Sequence, residues 1–384
     1  MLEGLDAVPW DKLRHCWGFA TDIPEQLRAI AREDDSQSEH ISNLFDNIWH
    51  QGTIYEASSF TVPFLLELVS DPRFKGRDEI LSVVDAIAGG ASHLAVHAVG
   101  DHSGAVYRRS QPNFDENLQK ELSDVRRARQ EIIDRKELLI RLLSDETPTI
   151  RTCAAHILSQ FRECRAEYSP LIRRAFRSET DSLAKAGFTW CLGVMNDQSI
   201  EASELLQKAV DNQADQRLAI AASIAQFIIN EEIRPEYVAP LRKLAGARWY
   251  AGSFLIGLYW DWCVEVDFDA ILNDIPPDKP GAIKILRDLV SEHSPTSKQD
   301  YACIVHDLLE LTFDEGDWRT PQEITEQQHE VLELIVDCDE LWTETSRLFF
   351  LMDGRNFVKG VQKDDVEQLR DEMRQSLRRN VIDD

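Results

Sequence analysis

Two short stretches of this chain hold the residue types and spacings that could do chemistry. His93-x-x-x-His97-x-x-x-Asp101, followed by His102, sets two imidazoles and a carboxylate at steps of four. On a helix such steps share one face, and this donor set suits zinc or a similar ion. Gly89-Gly90 and Gly100 bracket the run, so any helix there must be short. A histidine-bearing loop is the competing reading. The second stretch is His50-Gln51-Gly52-Thr53-Ile54-Tyr55-Glu56. Gly52 can close one helix and Thr53 can cap the next, with Glu56 three residues on to complete a capping box. His50, Gln51, Tyr55 and Glu56 would then flank a tight helix–helix turn, serving either structure or polar recognition. No nucleophile lies nearby in sequence. No His-Glu-x-x-His, phosphate-cradling glycine loop or Gly-x-Ser-x-Gly occurs either, so the sequence spells out no reaction and calls for no cofactor.

The elements that must carry these residues show themselves as a repeat. Four stretches repeat one amphipathic pattern at a step of 33 residues. The position of Ile157 becomes Trp190, Ser223 and Ile256; that of Ala154 becomes Gly187, Ile220 and Ser253; that of Phe161 becomes Val194, Phe227 and Trp260. Small or apolar residues recur mostly where an inner face needs them. A period of this size on helical spacing marks a stacked helix-pair solenoid. The expected fold class is all-α, a HEAT-like helical-repeat solenoid (α-α superhelix), right-handed, with the second helix of each pair lining a concave face.

Four regions follow. Residues 1–88 make an amino-terminal cap and first repeat, with a helix start at Asp22-Ile23-Pro24-Glu25 and helices over about 38–49, 54–69 and 77–88. Residues 89–114 have four glycines and no sustained period, so they read as a long loop. Residues 115–262 hold a charged helix over 115–143 and the repeat array, with pairs such as 168–177 with 183–195 and 202–211 with 215–229. Residues 263–384 form acidic helical hairpins near 279–292, 296–312 and 321–336, and a polar cap helix near 364–379. Thr320-Pro321-Gln322-Glu323 reads as the start of the third.

With 43% hydrophobic and 29% charged residues, and only 14 prolines and 17 glycines, the chain reads as a folded, soluble one. Its beginning lacks a basic segment followed by an apolar run, and its longest uncharged stretch, about 250–260, falls far short of the roughly 20 residues a span needs. A cytoplasmic protein without a membrane partner is the expectation. Seven cysteines form no Cys-x-x-Cys pair and read as reduced thiols. Net charge is −26, and residues 261–384 hold 30 acidic against 13 basic side chains, which is −17 of it. Phosphates would be repelled over much of that surface, which argues against nucleic acid. A basic protein is the natural complement of such charge.

Cys16-Trp17-Gly18-Phe19-Ala20-Thr21-Asp22-Ile23-Pro24, the His50 to Ala57 stretch with its Val62-Pro63-Phe64-Leu65 sequel, and Ile324 to Leu334 ending near Trp342 resemble a group of bacterial HEAT-repeat proteins. The resemblance covers most of the chain and implies a fold more than a function. Ala184 and Tyr250 stand where such a unit often has the arginine found at Arg151 and Arg217. More distantly the chain is similar to the HEAT-like repeats of phycobilisome lyases, which handle bilin chromophores, and it shares its expected architecture with helix-repeat DNA glycosylases, which need a basic groove.

The expected function is a non-enzymatic protein-binding scaffold. Thr152, His156, Lys185, Thr189 and Tyr250 fall on the stripe left over when the apolar stripe turns inward, and so are the expected groove residues. Two alternatives stay open: an immunity-type protein that neutralises a basic toxin or effector, and a metal- or chromophore-handling enzyme that uses the 89–112 segment with His50, Tyr55 or Glu56.

Overall fold

The computed structural model describes residues 2–101, 103–212, 214–231, 234–245, 278–291, 304–305, 307–309, 311–313, 323–342, 366–378 and 380–382. The described part is mostly helical. It begins with a 3₁₀ turn at Leu5–Ala7 and a small antiparallel hairpin, β1 (Arg14–His15) with β2 (Gly18–Phe19). Helix α1 (Ile23–Ala31) has its proline in the first turn, as expected. Asp22 stands at the cap position, yet its carboxylate does not cap. It takes the His15 Nε2 at 3.0 Å, Asn47 Nδ2 at 2.8 Å and Gln26 Nε2 at 3.1 Å, tying the hairpin to α1 and to α2 (Gln37–Ile48).

The turn at His50 differs from its expectation. It joins two short strands, β3 (Trp49–His50) and β4 (Thr53–Ile54), rather than two helices. Gln51 and Gly52 both have positive φ, 48° and 82°, as the two central residues of a type I′ hairpin turn require. A Cβ on Gly52 would meet no atom within 4 Å, so glycine is there for its backbone freedom and not for space. The next helix, α3 (Glu56–Ser70), starts later than Thr53. Its reciprocal partner is Ser58, whose Oγ accepts from the Tyr55 N–H at 2.9 Å and donates to the Ile48 carbonyl at the end of α2. Thr53 Oγ1 instead donates back to His50 O at 2.8 Å.

After α4 (Arg77–Gly89) the chain does not enter a long loop. Strand β5 (Ala91–Ser92) joins β4 in parallel, and helices α5 (His93–His97) and α6 (Ser103–Arg109) follow. The cause is tertiary capping. Glu121 Oε2, from α7 (Phe114–Ile133), accepts from the Leu94 N–H and from Ser92 Oγ, each at 2.8 Å. The Arg109 guanidinium donates to the Ala98 carbonyl and, at 2.7 Å, to the Gly100 carbonyl. The charged helix expected over 115–143 breaks at Asp134–Arg135 into α7 and α8 (Lys136–Leu142), because α7 packs on α3 and α8 on α9 (Pro148–Ser159).

Helices α10 (Arg165–Ser178), α11 (Ser182–Val194), α12 (Ile200–Val210) and α13 (Gln216–Asn230) follow close to the expected positions, and α14 (Pro235–Ala245) comes after them. Asp181 and Asp215 cap α11 and α13 through bonds to Ala184 N–H at 2.9 Å and Leu218 N–H at 3.0 Å. With Thr147 before α9 these caps step by 34 residues, one more than the apolar pattern. Helices α4, α9, α11 and α13 pack side by side in that order, each against its preceding partner α3, α8, α10 or α12. Ala154, Ile157, Phe161, Trp190, Val194 and Ile220 of the repeat are buried, as the period predicts.

Farther on, α15 (Lys279–Ser291) packs on α14, and α16 (Glu326–Asp337) starts with a reciprocal Thr325–Gln328 box. Thr320 and Pro321 lie outside the described residues, while Glu323 belongs to strand β6 (Glu323–Thr325). That strand pairs in parallel with β7 (Asn380–Ile382), which follows the last helix, α17 (Val366–Ser376). One buried cluster runs through the described part from Leu5 to Met373. Among the described residues no helix is long and apolar enough to cross a membrane.

Candidate functional site

Three of the expected groove residues do not lie on a surface. Thr152, His156 and Thr189 are each 1% exposed or less, because α9 is flanked by α4 and α11, and α11 by α9 and α13. The Thr152 and Thr189 hydroxyls bond back to Pro148 O and Lys185 O, four residues earlier in their own helices. His156 Nδ1 lies 2.7 Å from Asp85 Oδ2 in the core, with both side chains at most 3% exposed. Lys185 is half-buried, its Nζ 5.3 Å from the Phe176 ring centre. Tyr250 lies outside the described residues. The polar stripe of these helices is therefore interior, and none of these three residues is offered to a partner.

The other two stretches are brought together. The type I′ turn holds His50 half-buried, with the Trp17 ring packed edge-on at 5.2 Å. Tyr55 Oη lies 3.1 Å from Thr53 Oγ1; burial first, then the neighbouring Cys16 thiol, push its phenol up to about 12. Glu56 pairs with Lys120 at 3.4 Å. Next to Glu56 on α7, Asp124 is raised above the usual carboxylate range, by burial first and then by Glu56.

On α5, which follows β5, the His93 and His97 rings lie with centres 4.5 Å apart and planes tilted by 48°. Burial, and next the neighbouring His97, hold His93 below the ordinary imidazole value of 6.5; Glu121 opposes this, while Arg108 and His50 add to it. Asp101 does not join them. It is fully exposed and faces Arg109 at 3.7 Å. Among the described residues no group of three histidine, cysteine, aspartate or glutamate side chains is placed to hold a metal. Among the described residues the two imidazoles have no third donor and fall short of a zinc site; His102 lies outside the described residues.

Around this polar patch stands the feature that sequence reasoning missed. Seven large apolar side chains among the described residues are exposed, and six sit here: Trp17 and Phe19 on the hairpin, and Val96, Val99, Val106 and Tyr107 on and beside α5 and α6. Trp17, Val99 and Tyr107 each keep about two thirds of their surface in water (66%, 67% and 67%). The seventh, Ile200, stands alone on α12. A signal was present in Val106-Tyr107 next to Arg108-Arg109, but without the short helices there was no face to assign it to. No protein-family model, curated protein or solved structure matches this chain.

Proposed function

We propose that this chain is a non-enzymatic protein-binding scaffold that docks its partner on the face formed by the β1–β2 hairpin and the α5–α6 segment. The gathering of six exposed apolar side chains on adjoining elements carries the reading. Single exposed apolar residues are ordinary, whereas a cluster rimmed by polar groups marks an interaction site. Tyrosine, tryptophan and arginine are the types that anchor interfaces, and the hairpin carries Arg14 and Trp17 while α6 carries Tyr107 and Arg108. In this reading α3–α4, α8–α9, α10–α11 and α12–α13 are units of a HEAT-type solenoid whose interior role is to hold the face rigid.

The test is a combined Trp17→Ser, Val99→Ser and Tyr107→Ser variant, compared with the parent in capture from host lysate. A protein retained by the parent and lost by the variant, with unchanged far-UV circular dichroism, is the expected result. Identical capture by both would remove this face from the interaction.

A further inference from the structure

The docking face differs in charge from the rest of the molecule. Residues 14–19 and 91–109 together carry Arg14, Arg108 and Arg109 against the single acid Asp101, a local net of +2 in a chain of −26. Two of the nearby carboxylates are already engaged, while Asp46, near His50, stays exposed at the edge of the face. Glu121 turns inward to Ser92 and Leu94, and Glu56 meets Lys120. Arg14 lies exposed with its guanidinium 4.5 Å from the Phe19 ring centre. Arg108 is close enough to His93 to help lower its imidazole below the ordinary value. Arg109 is spent on the Ala98 and Gly100 carbonyls.

Resting on the docking reading above, we propose that the partner reaches this face with a short acidic segment. Its apolar side chains cover Trp17, Val99 and Tyr107 while its carboxylates meet Arg14 and Arg108. Arginine forks match carboxylates, and an arginine stacked on an aromatic ring is held ready for one. The same local charge could draw a nucleic acid, but a polyanion longer than a few nucleotides would run onto the acidic remainder of the surface within a Debye length of about 8 Å. A segment of a few carboxylates fits inside the basic area. The basic partner suggested by net charge alone would be repelled at this site.

The experiment is selection of random 16-residue phage-displayed peptides on the full-length protein, followed by binding of the enriched synthetic peptides at 50 and 500 mM salt. Two variants accompany it: Arg14→Gln with Arg108→Gln, and Val99→Ser with Tyr107→Ser, while Arg109 is left intact because it holds the segment together. The expected peptides combine aspartate or glutamate with aromatic residues, bind about tenfold more weakly at the higher salt, and lose at least about tenfold in each variant. Enriched peptides that are neutral or basic, yet lost in the Val99/Tyr107 variant, would overturn the acidic partner and leave the docking face standing. Peptides indifferent to both variants, or no enrichment at all, would overturn both. Tighter binding of a 12-nucleotide oligo-uridine than of any acidic peptide, lost in the Arg14/Arg108 variant, would replace the proposed partner by a nucleic acid.

Discussion

Replacing His156 by leucine leaves the Asp85 carboxylate at 3% exposure without the imidazole nitrogen that stands 2.7 Å from its Oδ2. Orphaning a buried ion-pairing group costs about 3–5 kcal/mol. Asp85→Leu leaves an imidazole, which can remain neutral, so the cost is that of one unsatisfied polar atom, about 1–3 kcal/mol. The pair is not fully satisfied even in the native protein: Asp85 Oδ1 and His156 Nε2 are buried without a hydrogen-bond partner. Replacing both by leucine removes all four polar atoms together. The double variant should therefore lie within about 1 kcal/mol of the parent, giving a coupling of at least about 2 kcal/mol in a double-mutant cycle. Urea unfolding followed by tryptophan fluorescence and circular dichroism reads all four proteins. Additive losses in the double variant would refute the reasoning. The same protein separates structure from recognition: if His156 served a partner, the stable double variant would lose capture, and the burial seen here requires that it keep it.

Three further outcomes are expected. A Cβ at Gly187 would lie 2.5 Å from Thr152 Cγ2 across the α9–α11 contact; overpacking of about 1–3 kcal/mol exceeds the gain of about 1 kcal/mol in helix propensity, so Gly187→Ala should destabilise in urea titration, and adding Thr152→Ser, which removes that methyl, should restore stability. Arg129→Ala should cost about 1–3 kcal/mol by the same titration, because its guanidinium donates to Ala88 O at 2.6 Å and Gln160 O at 2.9 Å, the ends of α4 and α9; an unchanged midpoint would contradict this. His93 has its folded value lowered below 6.5, so its contribution to α5 is present above pH 6.5 and is lost as pH falls through the lowered value. Rate-corrected hydrogen exchange should show residues 93–97 less protected at pH 5 than at pH 7.5, and a His93→Gln variant should lose that difference.

The proposed docking face was only partly legible in the sequence. His50, Tyr55 and Glu56 were singled out by a turn signal that proved to be a strand hairpin, since Gln51 and Gly52 with positive φ serve either kind of turn until the neighbouring strand β5 is known. The segment 89–112 read as a loop because its helices are too short to show a period and are capped by Glu121 and Arg109 from outside or from the far end. Its apolar residues could not be recognised as exposed until those helices had faces.

The inner side of α9, α11 and α13 was legible in the periodic pattern. Ala154, Ile157, Phe161, Trp190, Val194 and Ile220 are buried where the period puts them, because a helix must turn one stripe of small and apolar residues toward whatever it packs on. How many neighbours each helix has depends on packing that the pattern does not contain. Thr152, His156 and Thr189 lie on the opposite stripe, and a periodic pattern carries no mark that distinguishes a helix packed on one side from one flanked on both. Covered by a second neighbour, that stripe satisfies its polar atoms inside the fold, through back-bonds to the helix and the Asp85 pair, and the surface left for a partner is set by distant segments that only folding brings together.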